Sequence, residues 1–216
     1  MSKKVLVVLS GCGFLDGAEI HEAVATLWSI SKFGAEYVVA APDKQQHHVV
    51  NHHSGEEMNE QRNVRVEAAR IARGPVLGLN EVSDEGYDAL FIPGGFGAAK
   101  NLCTFAFEGA AASIDPQIKD LIVQFHEAGK PIGAVCISPA LLALALGKGT
   151  LTIGTDEGTA AHLETLGATH QNSDVEHAVI DAENKLVTAP AYMADAKVHQ
   201  VFAGIEEAVE AVLSSC

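Results

Sequence analysis

Three short apolar runs constrain this chain more than any other feature. They are Val5–Ser10 before Gly11-Cys12-Gly13, Tyr87–Ile92 before Pro93-Gly94-Gly95, and Pro131–Val135 before Cys136. Each is followed at once by a turn of glycine or other small residues. A run that is apolar on both alternating faces suits a strand covered on both sides, as in a parallel sheet. Helical stretches separate the runs. Ala18–Phe33 places Ile20, Ala23, Val24, Leu27 and Ile30 on one face at helical spacing. Asp115-Pro116 caps a helix that reaches Ala128, and Ala140–Leu146 forms another. Further strands are expected at Glu36–Ala41, Val76–Leu79, Thr150–Gly154 and Ala168–Gln171. Helices are expected at Val64–Ile71, Asp156–Leu166 and Asp195–Leu213, and Glu176–Asp181 with Lys185–Ala189 reads as a hairpin. Strand and helix in alternation give a mostly parallel sheet with helices on both faces. No repeat, low-complexity tract or linker interrupts the order, so residues 1–216 read as a single α/β domain.

Charge and cysteine usage narrow the function. The net charge is −14. Nucleic acid and anionic membrane both need clustered Lys and Arg, so neither is expected as a partner. Val5–Leu9 is too short for a signal segment, and no stretch approaches a membrane span. Cys12, Cys103, Cys136 and Cys216 are scattered without a Cys-x-x-Cys pair. That fits free thiols in a reducing cytoplasm. The loop Gly11–Gly17 lacks the glycine spacing of a dinucleotide fingerprint. His47, His48, His52 and His53 have no cysteine or carboxylate pattern to complete a metal set, so Asp43–Arg62 reads as a solvated loop or short hairpin. No metal and no cofactor are expected.

The candidate chemistry gathers at one sheet edge. Cys136 stands between a buried strand and a helix whose N-cap and first residue read as Ser138 and Pro139. Such a turn lifts a side chain above the sheet, and the helix terminus favours a thiolate there. An inert buried cysteine is the plain alternative. Glycines after a strand let backbone N–H groups approach an oxyanion, which marks Gly94 and Gly95 within the loop Pro93–Asn101. Glu19 and Glu22 stand at the start of the first long helix, again at the carboxyl edge where α/β sheets bind ligands. The helical wheel does not choose between them. Cys12 on the first loop is a possible second thiol near the site, and Pro190-Ala191-Tyr192 is a further loop at that edge.

Longer motifs carry a resemblance. They are Leu9–Glu22, Ala41–Lys44, Arg62–Val64, Ala69–Gly74, Pro93–Leu102, Gly129–Gly133, Cys136-Ile137-Ser138-Pro139 and Thr188–Met193. Together they resemble the ElbB (enhancing lycopene biosynthesis, or glyoxalase ElbB) group in the PfpI-like branch of class I glutamine amidotransferase-like proteins, almost end to end. The resemblance implies a flavodoxin-like three-layer sandwich with a nucleophile elbow. It implies Cys136 as nucleophile, Glu22 as its acid–base partner, and the N–H groups of Gly95 and Ile137 as the oxyanion hole. It also implies a glutathione-independent glyoxalase, a lyase of the glyoxalase III kind, turning a small dicarbonyl such as glyoxal into a hydroxy acid, glycolate. A link to isoprenoid biosynthesis and a homodimer come with it. The alternatives are a protein deglycase, a redox-sensing or metabolite-binding regulator, and an amidotransferase-like subunit. The chain departs from the wider pattern in one respect. No late His-x-Glu pair completes a triad, and Gly154-Thr155-Asp156 occupies the region where relatives carry a histidine. Asp156 and Asn101 therefore join the possible pocket residues with Glu19, Gly94 and Cys12.

Overall fold

A computed structural model describes residues 2–216. The strands are β1 (Lys4–Val8), β2 (Glu36–Ala41), β3 (Leu77–Gly78), β4 (Ala89–Ile92), β5 (Ile132–Val135), β6 (Thr150–Leu151), β7 (Thr169–His170), β8 (Val179–Asp181) and β9 (Leu186–Ala189). The helices are α1 (Ile20–Lys32), α2 (Val64–Ala72), α3 (Phe96–Asn101), α4 (Phe105–Glu108), α5 (Pro116–Glu127), α6 (Pro139–Leu146), α7 (Glu157–Thr165) and α8 (Val198–Ser214). Seven strands form one sheet in the order β3-β2-β1-β4-β5-β9-β8. All its pairs are parallel except the β8–β9 hairpin at one edge. This is the mostly parallel, flavodoxin-like α/β sheet expected. β6 and β7 pair apart from it as a small parallel sheet.

The alternating side chains of the central strands feed two cores. Val5, Val7, Phe91 and Val135 point to the face covered by α1, α2 and α8. Leu6, Val8, Leu90, Ile92 and Ala134 point to the face covered by α3, α5 and α6. Both faces being apolar explains why β1, β4 and β5 are continuous hydrophobic runs. Phe91 is fully buried over Gly133 of the neighbouring strand. A methyl group on Gly133 would lie 2.4 Å from the Phe91 ring.

Several boundaries differ from the reading of the sequence. α1 begins at Ile20 rather than Ala18, because the Glu19 carboxylate caps it by accepting the Glu22 N–H at 2.7 Å. Its inner face is Ala23, Leu27 and Ile30, whereas Ile20, Val24 and Trp28 form a second, exposed apolar stripe. The glycine loop after β4 is shorter than expected, since Phe96–Asn101 winds into α3. Ser138 occupies the N-cap position of α6, but its hydroxyl donates to Pro93 O at 2.8 Å instead of capping the helix. α8 starts at Val198, not Asp195. Residues 43–62 are a loop pinned by bridges between Gln45 and Asn63 and between Val50 and Glu57.

Candidate active site

Parallel strands deliver their connections to one edge, and β1, β4, β5 and β9 are neighbours there. Their loops bring Glu19 and Glu22, Gly94 and Gly95, Cys136 and Tyr192 together. Cys136 ends β5, holds its N–H on Ala189 O at 3.0 Å, and has φ of +61°. A left-handed conformation outside glycine costs roughly 1–3 kcal/mol and persists only where its surroundings enforce it. Here the sheet holds one side of the turn. The Ser138 hydroxyl on Pro93 O ties the other side to the loop after β4.

Glu22 faces the sulfur from α1 and is completely buried. Its Oε2 accepts the Gly94 N–H at 3.0 Å, and its Oε1 accepts the Tyr192 N–H at 3.1 Å. Tyr192 can make that contact because Ala191 before it also sits at a left-handed φ, +46°. The thiol and the carboxyl meet in the space that Gly94 leaves free. A methyl group there would lie 2.4 Å from Cys136 Cβ, 2.9 Å from Cys136 Sγ and 2.8 Å from Glu22 Oε2. Gly95 is equally constrained. It has φ of +96°, and a methyl group on it would lie 2.4 Å from Glu19 N.

The electrostatics of the pair follow from burial. Loss of solvent and the nearby Glu19 carboxylate push the Glu22 carboxyl up to about 7, against the two backbone N–H donors that favour its ionised form. Burial and the Glu22 carboxylate also hold the Cys136 thiol well above its ordinary value. The Gly95 and Ile137 N–H groups aimed at the sulfur pull the other way. The sequence suggested a thiolate stabilised at the helix terminus. Instead, burial beside an acid outweighs that terminus, and the pair keeps a proton between its two groups. Both Glu22 oxygens already accept a backbone N–H. A proton on the carboxyl therefore has the sulfur as its outward partner.

The other sequence candidates separate by position. Glu19 stays at the site as the cap of α1, with its N–H donated to Gly94 O at 3.0 Å. Asn101 does not line the site. It is buried, donates to Ser10 O and Asp16 O at 2.9 Å each, and accepts the His47 N–H at 2.8 Å, so its amide is used up as a bolt between loops. Cys12 is half-buried beside Glu67, Arg70 and Asp16 rather than beside Glu22, and burial raises its thiol. Asp156 is an exposed cap of α7, its carboxylate accepting the Thr159 N–H at 2.7 Å. His162 packs edge-on to Phe105 and accepts the Ala110 N–H, so it does not fill the missing histidine position. His52 lies between the Leu15 N–H and Val50 O, and His47 stacks on Phe107. Among the described residues no group of three or more His, Cys, Asp or Glu side chains is arranged to hold a metal ion.

Two features of the site escaped the sequence reading. A cavity of about 620 Å³ opens beside the pair, lined by Phe14, Glu19, His21, Tyr192 and Ala194–Ala196. Across it the Tyr192 hydroxyl and His21 Nδ1 are hydrogen-bonded at 2.8 Å. His21 adjoins Glu22 in sequence, which was its only available signal.

Known proteins share this arrangement of chain. The chain is 44% identical to the human "Glutamine amidotransferase-like class 1 domain-containing protein 3, mitochondrial", over 97% of this chain and 82% of that one. It is 43% identical to the rat "ES1 protein homolog, mitochondrial", over 97% and 83%. A crystal structure of an "isoprenoid biosynthesis protein with amidotransferase-like domain" from Ehrlichia chaffeensis superposes with a TM-score of 0.93 at 36% identity, covering 99% of each chain. Residues 3–197 match the family described as DJ-1/PfpI. With a cysteine on a strained strand-to-helix turn and a buried glutamate opposite it, this chain belongs to the DJ-1/PfpI family.

Proposed function

We propose that the protein is a glutathione-independent glyoxalase that converts glyoxal and similar small dicarbonyls to hydroxy acids, with Cys136 as nucleophile. The observation that carries this reading is the closed pairing of Cys136 with Glu22, a carboxyl buried until it titrates near neutrality. An acid–base group of that kind suits proton transfer at carbon and oxygen at working pH.

The steps balance on these residues. The thiol proton passes to Glu22 as the sulfur attacks one aldehyde carbon. The oxyanion that forms is held by the Gly95 and Ile137 N–H groups and takes the proton from Glu22, giving a hemithioacetal. Glu22 then moves the hydrogen on that carbon to the neighbouring carbonyl oxygen, giving an enediol, and next takes the proton of the first hydroxyl and delivers it to the adjacent carbon as the thioester carbonyl forms. The product is a thioester of glycolate. Water cleaves it, releasing glycolate and restoring the thiol, so glyoxal and one water become one glycolic acid. No metal and no cofactor enters this scheme.

Similarity to the isoprenoid biosynthesis protein of Ehrlichia chaffeensis supports a link to that biosynthesis, and the exposed stripe Ile20–Val24–Trp28 supports a homodimer. A cytoplasmic location belongs to the same reading. Among the described residues, no helix is long and apolar enough to cross a membrane. The decisive experiment is glycolate formation from glyoxal without glutathione. Cys136→Ser is expected to abolish it while thermal unfolding stays cooperative. Turnover at the wild-type rate in that variant would end the assignment.

A further inference from the structure

We propose that the cavity beside the Cys136–Glu22 pair selects substrates by charge. It takes neutral or cationic carbonyl compounds, turns away α-keto acids and sugar phosphates, and expels its own anionic product. Glu19 and Asp195 are the residues that impose this. The inference rests on the glyoxalase reading for its substrate but not for its test.

Cys136 and Glu22 do not themselves line the cavity, but two of its wall residues touch Glu22. Tyr192 donates its N–H to Glu22, and Glu19 caps the helix that carries Glu22 and bonds to Gly94. The remaining wall is Phe14, Ala194 and Ala196, with Phe14 nearly half exposed, and His21, whose ring is hydrogen-bonded to the Tyr192 hydroxyl. Its charged side chains are two carboxylates, with no Lys or Arg among the lining residues. Neither Glu19 nor Asp195 is in an ion pair among the described residues. Asp195 also faces an adjoining cavity of about 330 Å³, whose wall adds Asp174 and Glu176 with His177 as its one basic side chain. Acid therefore continues outward from the site, and the whole chain carries −14. Low-dielectric walls focus such a field into a cleft. The Glu19 charge is already felt by Glu22 and by the Tyr192 phenol, both of which it raises. A ligand in the same space meets the same field. Glyoxal enters neutral, whereas glycolate forms as an anion between carboxylates, so repulsion acts on the product alone.

The test labels Cys136 with three methanethiosulfonates of similar size, one cationic, one neutral and one anionic. Each rate is read by mass spectrometry of the Cys136 peptide and divided by the rate with a free small thiol. The expected cation-to-anion ratio is on the order of tenfold at low salt, falling as ionic strength rises. Glu19→Gln with Asp195→Asn should bring it down several-fold. Asp120→Asn with Glu127→Gln, an equal loss of two charges on the exposed side of α5, should leave it in place. Equal normalised rates, a ratio that survives in the Glu19/Asp195 variant, or one that falls equally in the Asp120/Glu127 variant would overturn the proposal. So would failure of all three reagents to reach Cys136, because the cavity would then not lead to the sulfur. Turnover is not involved. Charge-selective labelling without glyoxal conversion leaves this inference standing and removes the glyoxalase reading, and the converse result does the opposite.

Discussion

Replacing Glu22 with glutamine isolates the titration on which the chemistry depends. In the folded chain the carboxyl is pushed from its ordinary value of 4.5 to about 7. The folded state therefore holds a proton that the unfolded state has released. Where the folded state binds more protons, stability falls as pH rises. Glu22 thus contributes fully below about pH 4.5, and its contribution is lost as pH climbs through 7. A shift of this size is worth about 3 kcal/mol in total, and some 2–3 kcal/mol of it, roughly, falls between pH 5 and pH 8. Glu22 has no solvent exposure, so screening takes little away.

Glutamine adds a cost that does not vary with pH. The carboxyl accepts one N–H on each oxygen, from Gly94 and Tyr192. The amide has one oxygen, and its NH₂ must face the second donor. An unmet buried donor costs about 1–3 kcal/mol. The slope, rather than the offset, is therefore the readout. Urea unfolding of both proteins, each in a Cys136→Ser background so that the thiol does not titrate, gives stability at pH 5 and pH 8. Groups other than Glu22 titrate alike in the two proteins and cancel. The expected result is a wild-type advantage at pH 5 that shrinks by about 2–3 kcal/mol at pH 8, to near zero or below. If the two proteins stay parallel across that range, Glu22 does not titrate near neutrality, and the proton-sharing pair is refuted.

Other changes test the site and its frame. Gly94→Ala puts a methyl group between thiol and carboxyl, 2.4 Å from Cys136 Cβ, and should slow both alkylation of Cys136 and any turnover by about 100-fold or more, comparable to losing an oxyanion donor. Asn101→Ala should cost about 2–4 kcal/mol in chemical denaturation by leaving buried partners unmet, while the alkylation rate of Cys136 stays put. Gly133→Ala drives a methyl group into the Phe91 ring and should lower stability by about 1–3 kcal/mol, read as a drop in melting temperature.

The fold was legible because its signal is redundant. β1, β4 and β5 are apolar on both faces, as strands of a sheet covered on both sides are, and the glycine or proline turns that bound them keep the runs too short for helices. Element ends were less legible because local chemistry sets them. The Glu19 cap shortens α1 by two residues, and Phe96–Asn101 coils although it begins among glycines. At the site, Cys136, Gly94 and Gly95 could be seen because turns announce themselves by residue type. The choice of Glu22 over Glu19 came from the resemblance alone. In space the reason is plain. Glu19 is spent on the helix cap, and only Glu22 reaches the Gly94 and Tyr192 N–H groups. Asn101, Cys12 and Asp156 turn to other partners. A place near the right sheet edge does not say which way a side chain turns.

The helix terminus behind Cys136 is the point at which sequence reasoning and structure diverge most. A terminus stabilises negative charge by up to about 2 kcal/mol in partly buried settings. Burying a thiolate beside a carboxylate costs more than that, and the raised thiol is the consequence. The Gly95 and Ile137 N–H groups do not create a standing thiolate. They lower the cost of negative charge on sulfur and, in the proposed reaction, would do the same for the oxyanion of an attacked carbonyl. In the proposed reaction that division leaves activation to Glu22, whose burial brings its carboxyl to about 7, where it can accept the thiol proton and return it within one cycle. A site built this way keeps its sulfur protonated and shielded, with 7% of Cys136 exposed, until a small electrophile arrives. Such shielding disfavours protein adducts at the sulfur, and a protonated sulfur is slow to oxidise because oxidants attack the thiolate. The raised thiol and the titratable Glu22 beside it therefore support the proposed small-carbonyl chemistry, in which the proton is removed only as the sulfur attacks, over a sensor that needs a standing thiolate.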